Sequence, residues 1–283
     1  MPNKARALLL ACHPGPSVVV TVVVLVLGVT LGYEPLRLIL LGGAVLTGQL
    51  SIGWSNDWID AKRDAAVHRA DKPVARGDVA PGTVRTASFV ALAATVALSA
   101  FLGPVAAAAQ LAGVAAGWAY NVGVKNTPLS MVPYVVCFGL LPAVATFGQL
   151  HPQAAAPWVL AVGALLGIAA HFTNVLPDLD DDRRTGIRGF PHIVGARVSG
   201  VIAFLCVAAA GVLLSLGVLI AADHGVWSDV IAWLGLFAAL AIAAVGTALV
   251  RRANTSRLLM RLVMAGAIID VVMLLFSGQS LVA

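Results

Sequence analysis

The sequence SNDWIDAKRDAAVHRADKPVARGD, residues 55–78, interrupts a chain that elsewhere carries few charges. It follows a long apolar run and places three aspartates, Asp57, Asp60 and Asp64, ahead of a series of basic residues. Over the whole chain 60% of the residues are hydrophobic and only 11% are charged, whereas a soluble domain carries about 25% charged residues. The composition therefore predicts an integral membrane protein, and the charged stretch within it indicates a functional segment.

Nine apolar segments approach the length of about 20 residues that a helix needs to cross a bilayer. The third and fourth are separated by Gly103-Pro104, a tight-turn signal. We predict an all-α polytopic membrane protein, one domain over residues 1–283, with nine transmembrane helices around a central cavity. The nine segments are Ser17–Tyr33, Leu36–Ser55, Thr83–Gly103, Val105–Val122, Ser130–Gln149, Ala156–Leu176, Val198–Ala222, Trp227–Val250 and Leu258–Gly278.

The basic residues predict how the helices are oriented. Of 18 Lys and Arg residues, only Arg37 lies outside the N-terminal segment and the connections 2–3, 4–5, 6–7 and 8–9 with their helix edges. Because cytoplasmic loops collect Lys and Arg, the N-terminus is predicted inside and the C-terminus outside, in a bacterial cytoplasmic membrane. A count of eight helices would break this pattern. The sequence pI near 9.5 then reflects loops facing anionic lipid, and no nucleic-acid partner is expected.

Seven of the 13 acidic residues lie in two clusters, each following an apolar helix on the predicted cytoplasmic side. In the first cluster Asn56, Asp60 and Asp64 are spaced four residues apart, and the second repeats this spacing 118 residues later. Residues four apart stack on one face of a helix. The sequence therefore predicts two parallel stripes, at the ends of helices 2 and 6. The second stripe consists of Asn174, Asp178 and Asp182.

Aligned carboxylates repel one another unless a cation neutralises them, and hard oxygen ligands select magnesium or calcium. Magnesium is usually held by one or two carboxylates together with substrate phosphates, so two facing stripes predict two Mg²⁺ ions with a diphosphate between them. Bases follow both clusters and can donate charge-assisted hydrogen bonds to phosphate. Each base is also explained by the tendency of cytoplasmic loops to collect Lys and Arg. The alternative interpretation of the acidic clusters is that they form a solvated loop face. The bases are Lys62, Arg63, His68, Arg69, Lys72, Arg76, Arg183, Arg184 and Arg188.

The motifs resemble those of a known family. NDWIDAKRD (56–64) is an NDxxDxxxD motif, HRADKPVARGDV (68–79) looks like a basic tail around a proline, and NVLPDLDDDRRTGIRGFPHIVG (174–195) looks like a second aspartate motif. Together they are similar to the UbiA superfamily of intramembrane prenyltransferases, with motif loops at 55–82 and 174–197. Two positions depart from the pattern: Asn174 stands where many relatives have Asp, and Lys72 where Arg is common.

The resemblance implies Mg²⁺-dependent transfer of an isoprenyl group from a prenyl diphosphate to an aromatic or lipid-precursor acceptor in the membrane. Asp60, Asp64, Asp178 and Asp182 are then catalytic metal ligands, and Asp57 has a structural role. YNVGVK (120–125) places Tyr120 near the ionising carbon. The resemblance implies magnesium ligands at Asn56, Asp60, Asp64, Asn174, Asp178 and Asp182. It implies diphosphate contacts at Lys62, Arg69, Lys72, Lys125 and Arg188.

Other activities are compatible with parts of this pattern. A UbiA-type membrane terpene cyclase would share the diphosphate end, and the motifs do not separate it from a transferase. An ion-coupled transporter would carry its acids near the bilayer midplane, whereas both stripes lie at helix ends. The acceptor stays open among a hydroxybenzoate, a naphthoate, a sugar phosphate and a glycerol phosphate.

Two further polar residues lie within apolar helices. An intramembrane acid such as Asp270 is by default a candidate functional group, but a hydrogen bond within the bundle is the favoured expectation. His171 precedes Asn174 by one helical turn and is expected to pack between helices rather than to bind a ligand. The three cysteines show no CxxC spacing and are expected to be small packing residues.

Overall fold

The computed structural model describes residues 4–67, 69, 71–184, 186–220, 226–253, 255–275 and 281–283. His68 and the side chains of Asp180, Asp181 and Arg184 lie outside this set. Two short 3₁₀ helices span Val124–Asn126 and Leu176–Asp178. The α-helices are α1 (Lys4–Leu10), α2 (Pro14–Thr30), α3 (Pro35–Ala66), α4 (Pro81–Ala100), α5 (Pro104–Val122), α6 (Val132–Gly139), α7 (Leu141–Phe147), α8 (Pro157–Val175), α9 (Leu179–Arg184), α10 (Phe190–Val194), α11 (Ala196–Leu219), α12 (Val226–Arg251) and α13 (Leu258–Leu274).

Prolines define where most of the long helices begin. Each of α2, α3, α4, α5 and α8 has proline as its first residue. Proline suits this position because its missing N–H would have no partner there and its φ is preset for a helix. Gly103 has a φ of 105°, which glycine adopts without strain. The chain therefore turns from α4 into α5 at the Gly103-Pro104 signal.

Each of the nine predicted apolar segments contains helix, and the fifth is divided into α6 and α7. Five helices are long and apolar enough to cross a bilayer by themselves: α3, α4, α8 with its following 3₁₀ turn, α11 and α12. A sixth crossing is provided if α1 and α2 count as one span, although they meet at 63°. Within the described ranges, the structure thus shows five to six candidate spans in an all-helical fold.

Six helical segments form an inner ring. α2 contacts α3, α3 contacts α5, α5 contacts α6 and α7, these contact α8, and α13 closes the ring between α8 and α2. The helix that follows each motif packs on the outside of its motif helix, α4 against α3 and α11 against α8. α12 completes the outer layer by packing on α11 and α13. The ring leaves room for a central cavity.

The outer layer presents large apolar side chains away from the bundle. Leu205, Trp227, Leu234 and Phe237 on α11 and α12 are each more than 60% exposed. Soluble monomers seldom expose continuous apolar patches, and large ones mark membrane or protein contacts. The outward face of these helices is therefore suited to lipid.

Arg37 fixes the end of the bundle opposite the motifs. Its Nε donates to the carbonyl oxygen of Gly148 at 2.5 Å, and its Nη2 donates to Leu102 at 3.0 Å and Gln149 at 3.3 Å. Asp60 follows Arg37 by 23 residues within α3, a distance of about 35 Å along the helix axis. The one base predicted on this side thus joins the start of α3 to the α4–α5 and α7–α8 connections.

We expect Arg37→Met to lower the free energy of unfolding by about 1.5–3 kcal/mol, because it leaves carbonyls without the charged donor that now satisfies them. Thermal unfolding in detergent measures the change. Arg85→Met, at an exposed position on α4, is the control and should leave the midpoint nearly unchanged. Equal midpoints for the two variants would show that Arg37 does not stabilise this end of the bundle.

Candidate active site

A cavity of about 370 Å³ opens where α3 and α8 end. Its wall brings together segments that are far apart in the sequence, and it contains five aspartates and six Lys or Arg residues. Lys62 and Arg188 are exposed and do not belong to its wall. The other ten predicted site residues all line it: Asn56, Asp60, Asp64, Arg69, Lys72, Tyr120, Lys125, Asn174, Asp178 and Asp182.

The first stripe occupies the last turns of α3. Lys125 Nζ contacts both carboxylate oxygens of Asp60 at 2.6 Å, and Asn56 Nδ2 donates to Asp60 Oδ2 at 3.2 Å. Arg63 Nη2 bridges Asp60 at 2.9 Å and Asp64 at 3.3 Å. Each carboxylate of this stripe is therefore neutralised by a neighbouring base, as burial of a charge requires.

Asp57 lies on another face of α3 and is not part of the cavity wall. Its side chain is 1% exposed and holds Lys72 Nζ at 2.5 Å. The same ammonium lies 3.2 Å from Asn56 Oδ1 and 2.9 Å from His13 Nε2. Asp57 thus joins the loop after α3 and the α1–α2 junction to the helix.

The second stripe departs from a continuous helical face. Asn174 lies in α8, Asp178 ends a 3₁₀ helix, and Asp182 lies in α9. Pro177 falls between the first two residues, and proline cannot supply the N–H that an α-helix would need there. The four-residue spacing therefore places the residues of the first motif on one helical face. The residues of the second motif line the cavity from an α-helix that a 3₁₀ turn interrupts.

Arg69 joins the two motifs. Its Nε and Nη2 form a two-pronged contact with Asp71 at 2.9 Å, and Nη2 also donates to Asp178 Oδ2 at 3.2 Å. Arg257, at the start of α13, contacts Asp71 Oδ2 at 2.7 Å. The hydrogen bonds from Arg69 hold the pKa of the Asp71 carboxyl well below its ordinary value. Asp71 therefore stays ionised and orients Arg69 towards the second motif.

An aromatic cluster lies beneath the polar cavity. The ring of Tyr120 is 5.3 Å from that of Tyr134 and 5.8 Å from that of His171, both edge to face. His171 is 1% exposed, and its Nε2 is 3.0 Å from Ser130 Oγ. His171 is thus buried between helices with one ring nitrogen hydrogen-bonded, and Tyr120 forms part of the cavity wall.

Two apolar chambers adjoin the polar cavity. One, of about 190 Å³, shares Asn56, Tyr120 and Asn174 with the polar cavity and lies among α2, α3, α5, α6 and α8. The other, of about 80 Å³, lies among α2, α6–α7, α8 and α13 and shares Met260 and Met264 with it. We call them the aromatic chamber and the tail chamber. A molecule with a charged head and an apolar body can occupy the polar cavity and a chamber together.

Sequence reasoning did not assign several residues of the cavity wall to the site. His192 Nε2 lies 3.3 Å from Asp182 Oδ2, and Asp71 holds Arg69 in place. Arg257 and Arg261, at the start of the last helix, entered the sequence analysis only through the distribution of Lys and Arg that predicts orientation. Arg63 was considered only as one of the bases that follow the first cluster, and the wall residues missed altogether as site residues are His13, Asp71, His192, Arg257 and Arg261.

The residues of the cavity fit magnesium bound together with a diphosphate. Among the described residues, no three His, Cys, Asp or Glu side chains form a group that could hold an ion unaided. Magnesium does not need such a cage, because one or two carboxylates, substrate phosphates and water usually complete its shell. The wall supplies carboxylate and amide oxygens from both motifs, and bases suited to phosphate lie between them.

The fold and site define a helical-bundle protein with an acidic and basic cavity at one end. The same fold occurs in a UbiA homologue from Aeropyrum pernix K1, with a TM-score of 0.71 at 19% identity over 90% of this chain and 94% of that chain. It also occurs in a UbiA homologue from Archaeoglobus fulgidus bound to GPP and Mg²⁺, with a TM-score of 0.67 at 15% identity over 97% of this chain and 99% of that chain.

Sequence relatives agree with this likeness. The bacteriochlorophyll synthase 33 kDa chain of Cereibacter sphaeroides is 34% identical over 193 residues, 64% of this chain and 62% of that protein. Digeranylgeranylglyceryl phosphate synthase of Methanopyrus kandleri is 28% identical over 197 residues, 67% of each chain. The matched region thus spans about two thirds of each relative or slightly less. Residues 17–267 match the UbiA prenyltransferase family, and the chain belongs to that family.

We expect Asp57→Ala to lower the free energy of unfolding by about 3–5 kcal/mol, because it leaves the buried ammonium of Lys72 without its counter-charge. Asp78→Ala is the matched control, since its pair with Arg76 is partly exposed and such pairs contribute about 0–1 kcal/mol. The double variant Asp57→Leu with Lys72→Met should recover much of the loss. Thermal unfolding of all three in detergent decides the matter. A loss in Asp57→Ala no larger than in Asp78→Ala would contradict the anchoring role.

Proposed function

We propose that this protein catalyses Mg²⁺-dependent transfer of an isoprenyl group from a prenyl diphosphate to an aromatic or lipid-precursor acceptor within the membrane. One observation carries the proposal. Both aspartate motifs, which are 118 residues apart in the sequence, line one cavity together with Tyr120 and the bases Arg69, Lys72 and Lys125. Membership of the UbiA prenyltransferase family agrees with it.

Carboxylates and bases have separate tasks in this reaction. Two magnesium ions would be held by Asn56, Asp60 and Asp64 from the first motif, with Asn174, Asp178 and Asp182 from the second. When bound, they would supply Lewis-acid chemistry at the diphosphate oxygens. Lys125 and Arg69 now pair with Asp60 and Asp178, and they exchange these partners for phosphate oxygens. Lys72 keeps its place beside Asp57 and adds positive charge to the cavity.

The bond changes are those of an alkyl transfer. The bond between the first prenyl carbon and the diphosphate oxygen breaks, and its electron pair leaves with the diphosphate. The bases around the cavity stabilise that growing charge, which is the largest contribution that a preorganised site usually makes. The ring of Tyr120 lies where the polar cavity meets the aromatic chamber and faces the carbon that becomes cationic. The acceptor forms the new bond and loses a proton.

Two chambers favour transfer over cyclisation. The prenyl chain is apolar throughout and suits the tail chamber, whose wall is almost entirely apolar. The aromatic chamber carries hydrogen-bonding side chains, among them Ser17, Gln49 and Asn121, which suit the polar edge of a separate acceptor. A cyclase folds one chain upon itself and needs no second chamber of this kind. Apolar walls also keep water from the cation, which would otherwise be hydrolysed.

The acceptor is proposed at the level of its class. Two relatives are named for different products, a bacteriochlorophyll synthase chain and digeranylgeranylglyceryl phosphate synthase. One name implies a large ring system and the other a glycerol phosphate lipid precursor. Both kinds of acceptor join a polar reacting atom to an apolar body, so they fit a site that combines a charged cavity with apolar chambers.

We also propose that residues 1–283 form one domain that crosses a bacterial cytoplasmic membrane nine times. The nine helical segments and the distribution of the 18 bases support this count. The N-terminus then lies in the cytoplasm, and the cavity faces the cytoplasm because both motifs are at the basic ends of their helices. Lipid surrounds the outer layer of helices.

Asp60→Asn and Asp178→Asn should each lower turnover at least about 100-fold, since each removes a charge on which transition-state stabilisation depends. Turnover is measured as labelled product from a prenyl diphosphate and a panel of acceptors in magnesium. Asp78→Asn, outside the cavity wall, is the control with unchanged turnover. Full activity in excess chelator, or in either motif variant, would remove the metal site from the mechanism.

The orientation can be tested by labelling. A cysteine at Ala65, near the end of α3, should react with a membrane-impermeant reagent only from the cytoplasmic side. A cysteine at Gln153, in the α7–α8 connection, should react only from the opposite side. Both positions are exposed, and the native cysteines are first replaced by alanine. Labelling of both positions from one side would mean that an odd number of proposed crossings is wrong.

A further inference from the structure

Asp270 is a buried acid in the wall of the tail chamber, remote from both motifs. It is 2% exposed, and neither carboxyl oxygen has a hydrogen-bond partner in the described part of the chain. The rest of the chamber wall consists of apolar side chains, prolines and one glycine. Among the described residues, the hydrogen bond within the bundle that the sequence led us to expect is therefore not formed, and the group has capacity left for a ligand.

The surroundings of Asp270 decide what it can recognise. An isolated carboxylate buried in an apolar wall is so costly that such a group binds a proton instead. A neutral carboxyl group offers one O–H donor and a carbonyl acceptor. Its natural partner is a hydroxyl or carbonyl group, because a plain hydrocarbon leaves both its donor and its acceptor unpaired.

The position of Asp270 along α13 gives the partner a defined depth. Arg261 lines the polar cavity, Met264 lines both the polar cavity and the tail chamber, and Asp270 lines the tail chamber alone. Asp270 follows Arg261 by nine residues within α13, a distance of about 14 Å along the helix axis. A chain whose charged head occupies the polar cavity therefore meets Asp270 at one point along its length.

We propose that Asp270 is a specificity-determining residue that selects a prenyl diphosphate whose chain carries a single hydroxyl or carbonyl group at this depth. The inference rests on the proposed function, since it takes the diphosphate to lie in the polar cavity. It goes beyond that function by naming a substituted prenyl chain as the favoured donor and Asp270 as the group that recognises it.

Binding measurements with matched probes test the proposal. The probes are geranylgeranyl thiodiphosphate and three analogues with one hydroxyl on the second, third or fourth isoprene unit, titrated calorimetrically with Mg²⁺ in detergent. All four probes carry the same thiodiphosphate head, so contacts in the polar cavity contribute equally to each measured affinity. One analogue should bind the wild-type protein about tenfold more tightly than the plain probe, as one added hydrogen bond provides.

Variants assign the preference to Asp270. Asp270→Leu should abolish it while leaving affinity for the plain probe unchanged. The variant should fold, because it replaces an unpartnered polar group by an apolar one of similar size. Asp270→Asn should retain part of the preference, since an amide still donates and accepts. Val272→Ile changes the next exposed position of α13, outside the chamber wall, without adding a polar group and should keep the preference in full.

The outcomes separate this inference from the proposed function. If the plain probe binds but no hydroxylated analogue is preferred, or if the preference survives in Asp270→Leu, the role of Asp270 is overturned and the proposed function stands. If the wild-type protein binds none of the four probes in magnesium, the proposed function itself fails and the role of Asp270 fails with it.

Discussion

The pairing of buried carboxylates with bases is the constraint on which the rest of this structure depends. Lys125 holds Asp60, Arg69 holds Asp178, and Lys72 holds Asp57. A buried or partly buried charge is costly unless it is paired. The Lys125–Asp60 and Arg69–Asp178 pairs join segments that are 65 and 109 residues apart in the sequence, so charge balance also determines where the loops lie. The same balance suits the proposed binding of a magnesium diphosphate, which would bring both a cation for the acids and an anion for the bases.

The apolar part of the chain serves this polar end. An inner ring of helices encloses the cavity and its two chambers, while α4, α11 and α12 lie outside. At the far end, Arg37 is paired with backbone carbonyl oxygens and not with a carboxylate. This single base therefore donates hydrogen bonds to both the α4–α5 and the α7–α8 connection. One end of the bundle therefore concentrates the proposed chemistry, and the other end is closed by hydrogen bonds that stabilise the fold.

Asp270 shows how an exception to charge pairing indicates a function. The motif carboxylates lie beside bases within a polar wall, whereas Asp270 lies in an apolar wall with no hydrogen-bond partner in the described part of the chain. The first arrangement suits a strongly charged head, and the second suits a weakly polar group on an apolar chain. In the proposed function, the two kinds of carboxyl environment within one bundle would divide the recognition of one substrate between its head and its chain.

The sequence by itself determined the features that depend on near neighbours. Proline positions and apolar runs located the helices, spacing of four placed Asn56, Asp60 and Asp64 on one face, and the paired motifs identified the family. Only the tertiary structure decided which distant groups meet. It brought Arg69 to Asp178, left Lys62 and Arg188 outside the cavity wall, and left Asp270 without a hydrogen-bond partner among the residues that the structure describes. The spacing of residues determines which face of one helix they share. Contacts between helices depend on how the whole bundle packs, which no local sequence pattern specifies.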